Sequence, residues 1–109
     1  MFIQIFSTGG TLDKVYFDAL SEYQIGEPVA AELLEQGRVG VEFAVESLMK
    51  KDSLELDDQD RSLIHDKVKA CPHEHILITH GTDTMTVTAA GLADIDGKVI
   101  VLTGAMQPA

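Results

Sequence analysis

The chain has little of several features that mark particular protein classes. Its 109 residues contain one cysteine, no tryptophan, and eight basic residues against 18 acidic ones. One cysteine cannot form an internal disulfide, which agrees with a reducing compartment. The net charge of −10 repels phosphate backbones and anionic membrane surfaces. No apolar run approaches the roughly 20 residues needed to span a bilayer, and no basic leader precedes an apolar stretch. We therefore expect a cytoplasmic protein with no nucleic-acid and no membrane partner.

Two sequence features that could suggest a reactive or metal site have simpler explanations. Cys71 recurs at helical spacing with Ile64 and Val68, so it is predicted to be a core residue rather than a nucleophile. His73 and His75 flank Glu74 with no third ligand nearby, which is more typical of a solvated loop than of a zinc site. We predict that the chain has no metal site.

What is present is an alternation of short apolar strands with amphipathic helices. Residues 11–27 are mostly polar and show no clear helical or strand period, so they are predicted to form a long functional loop, a lid. The patterns predict strands over residues 2–6, 39–46, 76–79 and 98–103. They predict helices over residues 28–37, over 57–71 and from Thr82 to Leu92.

This alternation indicates the fold class. Strands that alternate with helices form right-handed crossovers and a mostly parallel sheet with helices on both faces, a three-layer α/β fold. The last strand, residues 98–103, is almost wholly apolar and is expected to be covered on both faces. With no linker or repeat visible, residues 1–109 are predicted to be one domain.

Glycines and hydroxyl side chains follow three of the four predicted strands. Ligands of an open parallel sheet bind outside the carboxyl ends of its strands, so these junctions are the candidate site. Each feature alone has a plainer explanation: Gly9-Gly10 is a common kind of turn, and Thr82 or Asp83 could simply cap a helix. The three junctions are Ser7-Thr8-Gly9-Gly10-Thr11, Thr79-His80-Gly81-Thr82-Asp83-Thr84 and Thr103-Gly104-Ala105-Met106.

Together these runs resemble the two signature motifs and the following turn of the bacterial-type L-asparaginase and glutaminase family, in the same order. The resemblance covers essentially the whole chain but only the first part of a typical two-domain member. It implies the Rossmann-like N-terminal domain of that family, here without the C-terminal domain.

The resemblance implies a nucleophile and a base. The threonine after the paired glycines, here Thr11, would attack the side-chain amide of the substrate. An alcohol needs a nearby base, which the family supplies from a lid tyrosine. Tyr23 matches that position, and Tyr16, closer to Thr11 in the sequence, remains the alternative.

The resemblance also implies a set of binding residues. Thr82 matches the second active-site threonine, which in the family is polarised by a lysine further along the chain; the sequence stops at Ala109, before that segment. Asp83 matches the aspartate that pairs with the substrate's α-ammonium group, and Ser53 the residue that receives its α-carboxylate. Backbone amides near Gly10 and Thr82 would stabilise the oxyanion, with Gly81 part of the same turn. Leu54 stands where the family usually has a polar residue.

The implied reaction is double displacement through an acyl-threonine ester, which requires no cofactor and uses a small amino-acid amide as substrate. Family members complete each site from a neighbouring subunit, so a homo-oligomer is expected. Asparagine, glutamine, a D-amino acid and a larger amide all remain open as substrates. Two other functions stay open: a catalytically weak or inactive fragment that binds a small amino acid, and a module that binds phosphate or nucleotide.

Overall fold

The structure is a computed structural model of the 109-residue chain. It describes residues 1–10, 12, 14–17, 22–25, 30, 32 and 42–105, and for residues 14–17 and 22–25 it describes the backbone alone. Six strands lie in this part of the chain: β1 Phe2–Gly9, β2 Lys14–Phe17, β3 Glu22–Ile25, β4 Glu42–Lys51, β5 His75–Thr79 and β6 Val99–Thr103. Two α-helices are described over their length: α1 Asp58–Ala70 and α2 Met85–Gly91.

Four of the strands form one parallel sheet in the order β4-β1-β5-β6. The α/β class predicted from the sequence is confirmed. Because β1 and β5 are neighbours in the middle of the sheet, the turns that follow them emerge side by side. The strand predicted over residues 39–46 corresponds to β4, which continues to Lys51, beyond the predicted end, and whose Leu48 and Met49 are partly buried. Residues 39 and 41 lie outside the described part of the chain.

The prediction that residues 11–27 form a long loop without regular structure was wrong. β2 and β3 within it pair as an antiparallel hairpin. The strands contain β-prone residues such as Val15 and Ile25, but four residues are too few to show a period among charged neighbours. The lid tyrosines fall on this hairpin, in which Tyr16 and Tyr23 are register partners.

Helix α1 forms where the acidic cluster and the apolar spacing predict it. Asp57 is the N-cap: its carboxylate accepts from the Asp60 backbone N–H at 2.9 Å, and the Asp60 carboxylate accepts from the Asp57 N–H at 3.1 Å. This reciprocal capping satisfies two orphan donors. Ile64 and Val68, both 0 % exposed, point into the core. Cys71 is the C-cap and is only half-buried, so it borders the core rather than lying inside it.

The largest buried cluster lies between the helices and one face of the sheet, while Ile5, next to Phe6 in β1 and 0 % exposed, is buried on the opposite face. The cluster consists of buried side chains from β1, α1, β5 and the end of α2. Burial at about 25 cal/mol per Å² of apolar surface holds these layers together. The members are Phe6, Ile64, Val68, Ile76, Ile78 and Leu92.

Strand β6 is not covered on both faces as its apolar sequence suggested. It is the outermost strand of the described sheet, and Val99 and Val101 are 53 % and 51 % exposed. Ile100 and Leu102 alternate with them and pack against the core. An apolar run alone therefore did not distinguish a two-sided strand from an edge strand with one uncovered apolar face.

Three further features of the chain are the helix before β4, the turn before β6 and the lengths of the helices. Ala30 and Glu32 are helical, and the rest of the helix predicted over residues 28–37 lies outside the described residues. Where a turn is predicted at Asp96-Gly97, the chain bends at Gly97, which has a φ of +75°. No helix in the described part of the chain is long and apolar enough to cross a membrane.

Candidate functional site

The turn after β1 is built from two glycines in a left-handed backbone conformation. Gly9 and Gly10 have φ values of +97° and +85°, which only glycine adopts at little cost. The Gly10 N–H donates to the Lys51 carbonyl at 3.0 Å. A Cβ atom on Gly9 would lie 2.6 Å from the Lys51 amide nitrogen. The turn therefore lies directly against the end of β4.

The same turn touches the turn that follows β5. A Cβ atom on Gly10 would lie 2.6 Å from the Gly81 nitrogen and 2.8 Å from its Cα. The two predicted active-site threonines, Thr11 and Thr82, each directly follow one of these touching glycines. Thr11 itself lies outside the described residues. The structure thus joins the backbones of the two motifs at the positions that precede both threonines.

Ser53 lies beneath this contact. It begins a short 3₁₀ helix after β4 and is 1 % exposed. A Cβ atom on Gly81 would meet the Ser53 Cβ and Oγ atoms, both at 2.8 Å. The Ser53 hydroxyl accepts from the Thr84 backbone N–H at 3.3 Å, and the Thr84 hydroxyl donates to the Ser53 carbonyl at 2.8 Å. Ser53 therefore ties the end of β4 to the second motif, while the next residue, Leu54, is 76 % exposed.

The third junction also packs on the second. The His80 N–H donates to the Thr103 carbonyl at 2.9 Å. A Cβ atom on Gly104 would collide with the His80 carbonyl oxygen. All three hydroxyl- and glycine-rich junctions therefore meet around residues 80–81.

A row of hydroxyl residues crosses the sheet just below these turns. Register partners on adjacent parallel strands lie on the same face of the sheet, and here every strand contributes serine or threonine: Ser47, Ser7, Thr79 and Thr103. Ser7 and Thr79 are each 1 % exposed. The Thr79 Oγ1 atom has no hydrogen-bond partner among the described residues, whereas its carbonyl accepts from the Thr8 hydroxyl at 2.8 Å.

His80 is the buried ionisable group of the site. It is 1 % exposed, and its Nδ1 and Nε2 atoms lie 2.6 Å from the Gly81 carbonyl and 2.8 Å from the Thr88 hydroxyl. Burial lowers the pKa of the imidazole, the Gly81 carbonyl opposes that shift, and the positive charge of Arg61 adds to it. The net direction is downward, which favours the neutral ring.

Thr82 and Asp83, in the turn after β5, are both exposed to solvent. Lys51, the last residue of β4, pairs with α1: its ammonium lies 2.9 Å and 3.1 Å from the two carboxylate oxygens of Asp60. That pairing raises the pKa of Lys51 and lowers the pKa of Asp60. Among the described residues, no group of three histidine, cysteine or acidic side chains is placed to hold a metal ion.

Sequence reasoning missed two residues of the site. Thr88 contacts His80, and Thr84 holds Ser53. A signal for Thr88 was present, since it lies four residues before the buried Leu92 and so shares its helical face. The Thr84 contact depends on how β4 and β5 are brought together and had no local signal.

A parallel α/β sheet whose carboxyl-end turns meet glycine to glycine, surrounded by threonine and serine, is typical of a Rossmann-like domain, and these turns form its candidate site. The sequence model of the family described as "Asparaginase, N-terminal" matches residues 2–109. The chain belongs to the asparaginase family. No curated protein sequence matches it significantly.

Solved structures of L-asparaginases have the same fold. The thermostable L-asparaginase of Thermococcus kodakarensis aligns at a TM-score of 0.81 and 25 % identity over 99 % of this chain and 35 % of its own. L-asparaginase I of Vibrio cholerae aligns at 0.82 and 26 %, over 98 % of this chain and 34 % of its own. A probable cytoplasmic L-asparaginase of Campylobacter jejuni aligns at 0.75 and 30 %, over 98 % and 33 %. The chain thus spans about a third of the length of these structures.

Proposed function

We propose that this chain carries the nucleophile-bearing part of an amidohydrolase site that converts L-asparagine, or a related amide, to aspartate and ammonia. Family membership supports the class of reaction. The observation that carries the proposal is the Gly10–Gly81 contact, because it makes neighbours of the residues that precede Thr11 and Thr82. A reactive hydroxyl must lie about 3–3.5 Å from the amide carbon, and two motifs whose backbones touch can place both threonines around one amide.

In the proposed reaction the Thr11 hydroxyl attacks the side-chain amide carbon. Its proton passes to a base on the hairpin, Tyr23 or its register partner Tyr16. The base returns this proton to the amide nitrogen, the C–N bond breaks and ammonia leaves. The acyl-threonine ester that remains is hydrolysed by water to aspartate and free Thr11. Backbone N–H groups near Gly10 and Thr82 stabilise the negative charge on the amide oxygen.

Asp83 orients the substrate in this proposal. It is exposed beside the glycine contact, where its carboxylate can pair with an α-ammonium group. Ser53 is the proposed contact for the α-carboxylate, acting from beneath Gly81, where its hydroxyl also accepts from Thr84. The proposed site assembles in a homo-oligomer and takes a small amino-acid amide as its ligand.

Ammonia release tests the reaction class. The folded chain is incubated with L-asparagine, with L-glutamine and with D-asparagine in parallel, and ammonia is measured against a protein-free control. Release from one of these amides supports the proposal, whereas stabilisation by L-aspartate in a thermal shift without any release supports the binding-only alternative. A chain that neither releases ammonia nor is stabilised by the amino acids contradicts both.

A further inference from the structure

We propose that Thr88, acting through His80, sets the orientation of the Gly81–Thr82 peptide group in the candidate site. Thr88 is a positioning residue in this inference, since its contact is with His80 and not with substrate. Only the expected effect on catalysis rests on the proposed function. The orientation itself concerns the buried Thr88 and His80 side chains and the peptide group between Gly81 and Thr82.

The hydrogen-bond partners fix where the proton of His80 resides. His80 is 1 % exposed and Thr88 is 2 % exposed. The Gly81 carbonyl can only accept, so the ring nitrogen 2.6 Å from it, Nδ1, carries the proton and donates. A neutral ring has one N–H, so Nε2 must accept, and the Thr88 hydroxyl donates to it across 2.8 Å.

The Thr88 hydroxyl donates to a side chain outside its own helix. A threonine within a helix often donates to the carbonyl four residues earlier. Here the Thr84 carbonyl accepts from the Thr88 backbone N–H at 3.2 Å, while the Thr88 side chain donates to His80 instead. Helix α2 is therefore linked to the second motif through one buried imidazole.

The consequence for the site follows from the planarity of the peptide bond. His80 holds the Gly81 carbonyl towards the core. The Thr82 N–H belongs to the same planar group, which is trans because the described chain has no cis peptide. It therefore points away from the imidazole. This N–H is one of the proposed oxyanion donors, whose direction decides whether it meets the developing charge.

Nitrogen-detected NMR of the folded chain at neutral pH tests the inference. We expect His80 to be neutral with the proton on Nδ1. In Thr88→Val, which removes the hydroxyl and keeps the shape, the Nε2 resonance shifts towards that of a nitrogen without a hydrogen bond, and the Thr82 amide resonance moves. Thr88→Ser retains the wild-type resonances. Thr86→Val, at an exposed threonine of the same helix, is the matched control and changes neither signal.

Steady-state kinetics provide a second test of the inference. In a chain that releases ammonia, Thr88→Val lowers kcat by about tenfold with a smaller change in KM, because a lost buried hydrogen bond misaligns a transition-state donor. Thr88→Ser restores the rate to within about twofold.

The outcomes separate the two proposals. A wild-type His80 that is charged or protonated on Nε2 overturns the inference, as do Nε2 and Thr82 resonances that are unchanged in Thr88→Val. A chain without activity but with the expected tautomer and shifts contradicts the proposed function and leaves the orienting pair supported. If Thr88→Val does not fold, the wild-type tautomer and the Thr88→Ser spectrum decide.

Discussion

Gly10 and Gly81 lie so close that a Cβ atom on Gly10 would be 2.6 Å from the Gly81 amide nitrogen. The contact joins the turn after β1 to the turn after β5, and these are the turns that carry Thr11 and Thr82. Neither glycine could bear a side chain without moving the other turn or Ser53 beneath it. The geometry of the candidate site is therefore maintained by the absence of side chains at two positions.

The first prediction concerns this contact. Gly10→Ala combines a positive φ, which costs an L-residue about 1–2 kcal/mol, with a backbone collision, so we expect a loss of more than about 2 kcal/mol in the free energy of unfolding. Gly97→Ala is the matched control, because Gly97 has φ +75° but open space around it, and should lose about 1 kcal/mol. Urea unfolding of both variants checks the difference. Equal losses would mean that the Gly10 contact imposes no constraint.

The second prediction separates two buried threonines. Thr8→Val removes the hydrogen bond to the Thr79 carbonyl and should cost about 1 kcal/mol. Thr79→Val removes a buried hydroxyl that has no partner among the described residues, so it should change stability by less than about 0.5 kcal/mol or increase it. Thermal unfolding of the pair provides the comparison. A larger loss from Thr79→Val than from Thr8→Val would show that the Thr79 hydroxyl is engaged.

The third prediction concerns the start of α1. Asp57→Ala removes the N-cap and should destabilise the chain by about 1 kcal/mol, measured by chemical unfolding. Asp57→Asn, which keeps an oxygen acceptor at the N-cap, should lose less. A full loss in Asp57→Asn would argue against the hydrogen-bonded cap.

The fourth prediction is a pH dependence at the same helix end. The pKa of Asp60 is lowered in the folded chain from 3.8, first by its hydrogen bond with Lys51. The stabilisation is therefore fully present above the unfolded-state pKa and is lost as pH falls through the lower folded-state value. The difference in stability between wild type and Asp60→Asn should be largest near neutral pH and should shrink as the pH falls below 3.8. A difference that is independent of pH would contradict the ion pair.

Much of the fold could be predicted because its signals are local. The spacing of Ile64 and Val68 and the acidic cap at Asp57 are sufficient to place α1. The hairpin was missed because each of its strands is four residues long. The exposure of Val99 was missed because the residues of a strand do not determine whether it lies in the middle or at the edge of the sheet.

The candidate site could likewise be predicted only in part from local sequence. The motifs predict residues 7–11 and 79–84 as candidate ligand-binding segments, but the contact between these segments depends on β1 lying beside β5, a long-range relationship. The burial of Ser53 likewise follows from the packing of Gly81 on it, which no local pattern encodes.

The fifth prediction addresses substrate orientation. Asp83 is exposed, so Asp83→Asn should leave the unfolding midpoint unchanged while raising KM for L-asparagine by about 10- to 100-fold through the loss of an ammonium contact. Succinamic acid, which is asparagine without its α-ammonium group, should be hydrolysed equally by wild type and Asp83→Asn. Steady-state ammonia release provides both values. An unchanged KM for L-asparagine would remove Asp83 from the proposed site.

The most direct test of the central claim is to trap the acyl-enzyme. The chain is quenched in acid during incubation with L-asparagine, digested and examined by mass spectrometry, with Thr11→Ala treated in parallel. The account predicts an aspartyl ester on the peptide that contains Thr11, and neither ester nor ammonia release in Thr11→Ala. Ammonia release that is undiminished in Thr11→Ala, or an ester on a different residue, would contradict it.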